Sequence, residues 1–140
     1  MKHFFPIFIT ALLTYSNTTN AITASSPQNI SGVKTVSTQE AKELYDDGVL
    51  FVDVRLDSDW EKGRVPEALH LNITSDLTAN NLLKEITKSD DVVFYCNGKK
   101  CYLSAEASKR AVEWGFTSIF YYRDGLPEWE KSGYPVERTP

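Results

Sequence analysis

Two nearly unbroken apolar runs constrain the fold more than anything else in the chain. One is Val49-Leu50-Phe51-Val52-Asp53-Val54; the other, Val92-Val93-Phe94-Tyr95, runs straight into Cys96. Strands this apolar have no solvent face. They read as central strands of a largely parallel sheet covered on both sides. After Cys96 comes a short polar loop, Asn97-Gly98-Lys99-Lys100-Cys101-Tyr102. A helical pattern follows, with Leu103, Ala107, Ala111 and Trp114 at spacings of three and four. In open α/β sheets the reactive crevice lies beyond the carboxyl ends of the strands. Cys96 is therefore placed where such a fold puts its chemistry. Free N–H groups and the positive end of the following helix favour an anion there. A thiol in that setting is expected to ionise more readily, with Lys99 and Lys100 adding local positive charge. The competing reading is a buried structural cysteine beside two solvated lysines.

The remaining segments alternate in the same way. Val33 to Val36 reads as a short first strand. Ser37-Thr38-Gln39-Glu40 is a capping box that opens a helix ending at Gly48. Arg55 follows the Val49–Val54 strand at the same sheet edge as Cys96. That makes it a candidate substrate contact, although Asp53 and Arg55 also read as a structural ion pair. Asp57 to Lys62 is expected to be a short helix with a second capping box, Ser58 and Glu61. Ala68 to Leu71 reads as a strand, Asn81 to Thr87 as a helix and Ser118 to Tyr122 as a fifth strand. A last helix opens at Leu126-Pro127. The expected class is α/β: a mostly parallel five-stranded sheet with helices on both faces. His70 reads as packed and hydrogen-bonded rather than catalytic.

The N-terminus is of another kind. A basic start, an apolar stretch from Phe4 to Leu13 and small polar residues before Ala21 or Ala24 have the layout of a secretory signal. The expected organisation is a signal peptide over 1–21, a Ser/Thr/Asn/Pro-rich linker over 22–32 and a domain over 33–137, with no membrane span in the mature form. Export, in particular to a bacterial periplasm, would place the two cysteines in an oxidising compartment. A net charge of −4 argues against nucleic acid as partner. Cys96, Cys101, His3 and His70 are too few and too scattered for a structural zinc. No metal or cofactor is expected.

Four segments in order resemble the rhodanese family of sulfurtransferases. They are Phe51-Val52-Asp53-Val54-Arg55, Trp60 through Asn72, Phe94-Tyr95-Cys96 with its loop, and Tyr122-Arg123-Asp124-Gly125-Leu126-Pro127-Glu128-Trp129. The resemblance covers roughly residues 33–137, the size of one domain. It departs from the family pattern at Arg64, at Glu67 (where glycine is common), at Asp124 and in the loop, whose glycine comes second after the cysteine. The resemblance implies the rhodanese-like three-layer fold. It also implies that Cys96 attacks a sulfane sulfur donor such as thiosulfate and carries the sulfur as a persulfide to a thiol or cyanide acceptor. The backbone amides of Asn97, Gly98, Lys99, Lys100, Cys101 and Tyr102 are expected to converge on the Cys96 sulfur.

Cys101 has two readings. It is either a resolving thiol that closes a disulfide with Cys96, which would call for a periplasmic redox partner, or a small residue facing the helix. The rival functions are thiol–disulfide exchange through the two cysteines, a binding module with a silent site, and a cysteine phosphatase. A phosphatase loop would need an arginine six residues after the cysteine, and Tyr102 stands there.

Overall fold

The computed structural model describes residues 24–140. The expected signal peptide and the first two residues of the expected linker lie outside the described residues. Five strands are present: β1 (Lys34–Thr35), β2 (Leu50–Asp53), β3 (Leu69–His70), β4 (Val92–Tyr95) and β5 (Ile119–Tyr122). Between and after them come the helices α1 (Thr38–Asp46), α2 (Asp57–Lys62), α3 (Ala79–Leu83), α4 (Leu103–Glu113) and α5 (Gly125–Lys131). The sheet order is β1-β5-β4-β2-β3, and every pairing is parallel. This is the α/β architecture read from the apolar runs, with β4 between β5 and β2.

The two-residue side-chain period of a strand sorts the core into two layers. Val52, Val54, Val92, Phe94 and Cys96 face one way, against Leu82 of α3 and Ala107 and Ala111 of α4. Phe51, Val93 and Tyr95 face the other way, against Ala41 of α1 and Leu126 and Trp129 of α5. Trp129 is the largest fully buried side chain. It meets Tyr45, Phe51, Tyr122 and Tyr134 edge-on or tilted, and its indole N–H donates to the Pro135 carbonyl at 2.8 Å.

Local signals explain most boundaries. Ser37 caps α1 with the full reciprocal capping box, its side chain accepting from the Glu40 N–H at 3.1 Å. The second expected box does not form. Leu56 occupies the N-cap of α2 and Ser58 lies inside the helix, because the chain turns into α2 directly after Arg55. α3 begins two residues earlier than expected, at Ala79, since the Thr78 hydroxyl accepts from the Asn81 N–H and sets the start. The described part of the expected linker is not a free connector. Ser26 and Ile30 are buried, and Ile30 packs with Ala105 and Tyr121. A polar composition concealed that contact because only one residue of the stretch, Ile30, carries the apolar anchor.

Glu67, standing where the resembling family commonly has glycine, has φ +64°. A side chain in that left-handed region costs roughly 1–2 kcal/mol. A glycine there gives back part of that gain in unfolded-chain entropy. Glu67→Gly is therefore expected to stabilise the exposed turn by up to about 1 kcal/mol, read as a higher urea midpoint; a lower midpoint would show that the Glu67 side chain contributes more than its backbone strain costs.

Candidate active site

Cys96 is the first residue after β4 and continues its alternation. Its side chain therefore points to the layer holding α4, and it is only 1% exposed. The first turn of α4 meets it there. The Cys96 Sγ lies 3.1 Å from the Ser104 Oγ and 3.5 Å from the Cys101 carbonyl oxygen, and the Ser104 backbone N–H faces the same sulfur. Ser104 was not among the residues singled out from the sequence. Its place in the first turn of a helix that starts over the thiol is the signal that would have found it.

The loop returns Cys101 to the same spot. The Cys101 N–H donates to the Gly98 carbonyl at 2.9 Å, closing a turn that brings the second thiol against the first. The Cys96 Sγ, 3.5 Å from the Cys101 carbonyl, makes the two thiols neighbours, and the backbone N–H groups of Asn97 and Leu103 face Cys101. Of the amides expected around Cys96, that of Asn97 faces Cys101, as does that of Leu103, and the Ser104 amide faces Cys96. The charge follows the donors. The neighbouring Cys96 thiol lowers the Cys101 thiol to about 6, with the Asn97 and Leu103 amides in support and burial opposing. Cys96 is pushed well above the ordinary thiol range, by its Cys101 neighbour and then by burial. The two thiols titrate as a pair, with the thiolate favoured on Cys101.

Arg55 is not an open substrate contact. It is buried, with its Nε 2.9 and 3.1 Å from the two Asp53 carboxylate oxygens. Its Nη2 donates to Asp53 and to the Gly63 carbonyl, both at 2.6 Å, and its Nη1 to the Asn97 Oδ1 at 3.1 Å. Burial works to lower its pKa, but the hydrogen bonds and charge of Asp53 outweigh it and leave it raised. Arg55 thus fixes the loop through Asn97, whose amide nitrogen also donates to Asp59 at 3.0 Å. Its cation was consumed by an equally buried anion two residues away.

The other loop residues are placed as follows. Lys99 and Lys100 are exposed, with the Lys99 Nζ 3.6 Å from Asp124. The Tyr102 side chain points away from the sulfurs and donates to the Ser25 carbonyl at 2.9 Å. His70 stacks on Trp60 with ring centroids 4.6 Å apart and bonds the Arg55 carbonyl at 2.9 Å, the packed role expected for it.

A strap formed by residues 25–26 clamps the outer side of the loop. The Ser26 N–H and hydroxyl both donate to the Lys99 carbonyl at 2.7 Å, and Arg123 donates to the Ser26 carbonyl at 2.8 Å. On the inner side, Gly125 at φ +69° sits so close that an added Cβ would lie 2.4 Å from the Cys96 oxygen and 2.6 Å from the Gly98 nitrogen. The Leu126 N–H then donates to that Cys96 oxygen at 3.1 Å.

The comparisons with known proteins agree with this geometry. Residues 37–132 match the model of the rhodanese-like domain, and the chain belongs to that family. It is 30% identical over 89 residues to a sulfurtransferase of Allochromatium vinosum, covering 63% of this chain and 78% of that protein. It is 32% identical over 89 residues to the HTH-type transcriptional regulator Rv0324 of Mycobacterium tuberculosis, covering 64% of this chain but only 38% of the regulator. Among solved structures, the polysulfide-sulfur transferase homodimer of Wolinella succinogenes superposes with a TM-score of 0.59 at 22% identity, over 76% of this chain and 80% of that one.

Two outcomes test the site as built. Gly125→Ala forces a Cβ into backbone and into a left-handed φ, so it is expected to cost roughly 2–4 kcal/mol in denaturant unfolding; an unchanged midpoint would mean that the loop gives way freely. In the reduced protein, iodoacetamide is expected to label Cys101 before Cys96. Its rate should be nearly flat between about pH 7 and 8, where an ordinary thiol still gains close to tenfold per unit; a tenfold rise would place the charge elsewhere.

Proposed function

We propose that this protein is a sulfurtransferase that moves a sulfane sulfur from a donor such as thiosulfate to a thiol, or to cyanide in assay, through a persulfide on Cys96. The observation that carries this reading is the position of Cys96. It directly follows the central strand of a rhodanese-like domain, beneath the first turn of α4, with its Sγ 3.5 Å from the carbonyl of a second cysteine. Cys96 rests protonated, and the Cys101 thiolate is the adjacent acceptor for its proton. Transfer of that proton makes Cys96 the attacking thiolate. The new thiolate takes the outer sulfur of thiosulfate, and sulfite leaves with the electron pair of the broken S–S bond. Lys99 and Lys100 give an anionic donor a positive approach.

The same reading includes export, since the N-terminal sequence has the layout of a secretory signal. In a periplasm the thiol pair would depend on a reducing partner. The Cys96–Cys101 contact also favours a second reading, disulfide exchange without any sulfur donor.

A thiosulfate–cyanide assay on the reduced protein separates the two readings. Wild type is expected to form thiocyanate, and Cys96→Ser is expected to lose at least about a thousandfold in rate, as removal of a nucleophile does. Thiocyanate formation that survives Cys96→Ser would misassign the nucleophile. Disulfide reductase activity without thiocyanate formation would favour the second reading.

A further inference from the structure

The Cys101 thiol lies beside Cys96, whose Sγ is 3.5 Å from the Cys101 carbonyl oxygen. Cys96 is almost wholly buried and has Ser104 on one side of its sulfur. The neighbouring anion cradle, made by the Asn97 and Leu103 amides, already holds the sulfur of Cys101. A terminal sulfur added to Cys96 would therefore arrive against a second thiol. The loop that carries this thiol is held in place. The Gly98–Cys101 turn fixes its backbone, the Ser26 strap holds Lys99, and Ser25 holds the Tyr102 hydroxyl.

We propose that Cys101 is the second nucleophile of the site, attacking the Cys96 Sγ of the persulfide, closing a Cys96–Cys101 disulfide and expelling the sulfane sulfur as hydrosulfide. The proposal rests on the persulfide reading above and deepens it by naming the product and the co-reactant. The atoms and electrons balance. Cys101, protonated when Cys96 was activated, returns its proton to the terminal sulfur. Its thiolate then forms the new S–S bond with the Cys96 Sγ, the bond from Sγ to the terminal sulfur breaks, and HS⁻ leaves with that electron pair. The sulfane sulfur is reduced to sulfide, and the two thiols are oxidised to one disulfide. A dithiol reductant must then exchange with the disulfide to restore both thiols, becoming a disulfide itself. Without that reductant the protein turns over once.

The test is a single-turnover reaction under anaerobic conditions. Fully reduced protein is mixed with thiosulfate and no added thiol, and sulfite, sulfide and intact protein mass are followed. Wild type is expected to release about one sulfite and about one sulfide per chain and to end two hydrogens lighter, as a disulfide, with no retained sulfur. Cys101→Ser is expected to release sulfite more slowly, to release no sulfide and to keep the extra sulfur. Wild type that keeps the extra sulfur on either cysteine and releases sulfite alone overturns the proposal while leaving sulfur transfer intact. Absence of sulfite from both proteins overturns the persulfide reading itself, and the proposal with it. Sulfide from Cys101→Ser in the same yield as from wild type would show that Cys101 takes no part. In a follow-up, adding a dithiol to the spent wild type is expected to restart sulfite and sulfide release together; release that does not resume overturns the reductant step.

Discussion

β4 is enclosed on both faces, and that enclosure decides the direction of the residue that follows it. Alternation along Val92, Val93, Phe94 and Tyr95 leaves no freedom at Cys96: a slip of one residue would turn Val92 and Phe94 out of one layer and Val93 and Tyr95 out of the other. The register to β2 and β5 is fixed through all four residues on each side. Cys96 is thus aimed under α4 before any loop contact forms. A thiol on the opposite alternation would face Trp129 and α5, among aromatic rings with nothing to share its proton.

The loop beyond the strand is positioned from its surroundings more than by its own sequence. Arg55 reaches it from the end of β2, Gly125 and Leu126 from the start of α5, and Ser25 and Ser26 from the strap. The Asp53–Arg55 pair illustrates the cost of such an arrangement. Burying both ions carries a desolvation penalty that attraction alone seldom overcomes, and the added bonds to Gly63 and Asn97 offset it. The guanidinium's flat fork serves the carboxylate, the carbonyl and the amide oxygen at once, which a lysine ammonium could not do in that plane. The pair therefore reads as a brace for the loop, and the Arg55 charge still helps to lower the Cys101 thiol.

The architecture was largely legible in the sequence because it follows from period and punctuation. Apolar runs gave the central strands, helical spacing gave α4, and the Ser37 box gave the start of α1. The site was legible only as a location. Nothing in the spacing of Cys96 and Cys101 shows which sulfur the amides of Asn97 and Leu103 will face; that depends on backbone angles around Gly98 and on Gly125, some thirty residues downstream. The strap was hidden for a different reason. Its hold on the loop consists of hydrogen bonds between Ser25 and Ser26 and partners more than seventy residues away, and long-range polar contacts leave no local periodicity. Arg55 kept two readings open in the sequence, a substrate contact and an ion pair with Asp53, because the burial of both groups shows only in the fold.

The placement of the negative charge on Cys101 does not disable Cys96; it gives the buried thiol a partner for its proton. A thiolate at the bottom of the site would face a large desolvation cost with one amide for support, whereas Cys101 is half-buried and faced by two amides and the Cys96 thiol. Keeping the charge on the outer sulfur and moving it inward only when a donor arrives avoids that cost in the resting protein. The arrangement also leaves a thiol beside the sulfur that Cys96 acquires. Any rigid loop that lends a neighbouring thiol as base retains that thiol as a nucleophile, and here the turn from Gly98 to Cys101 and the strap over Lys99 hold that loop in place.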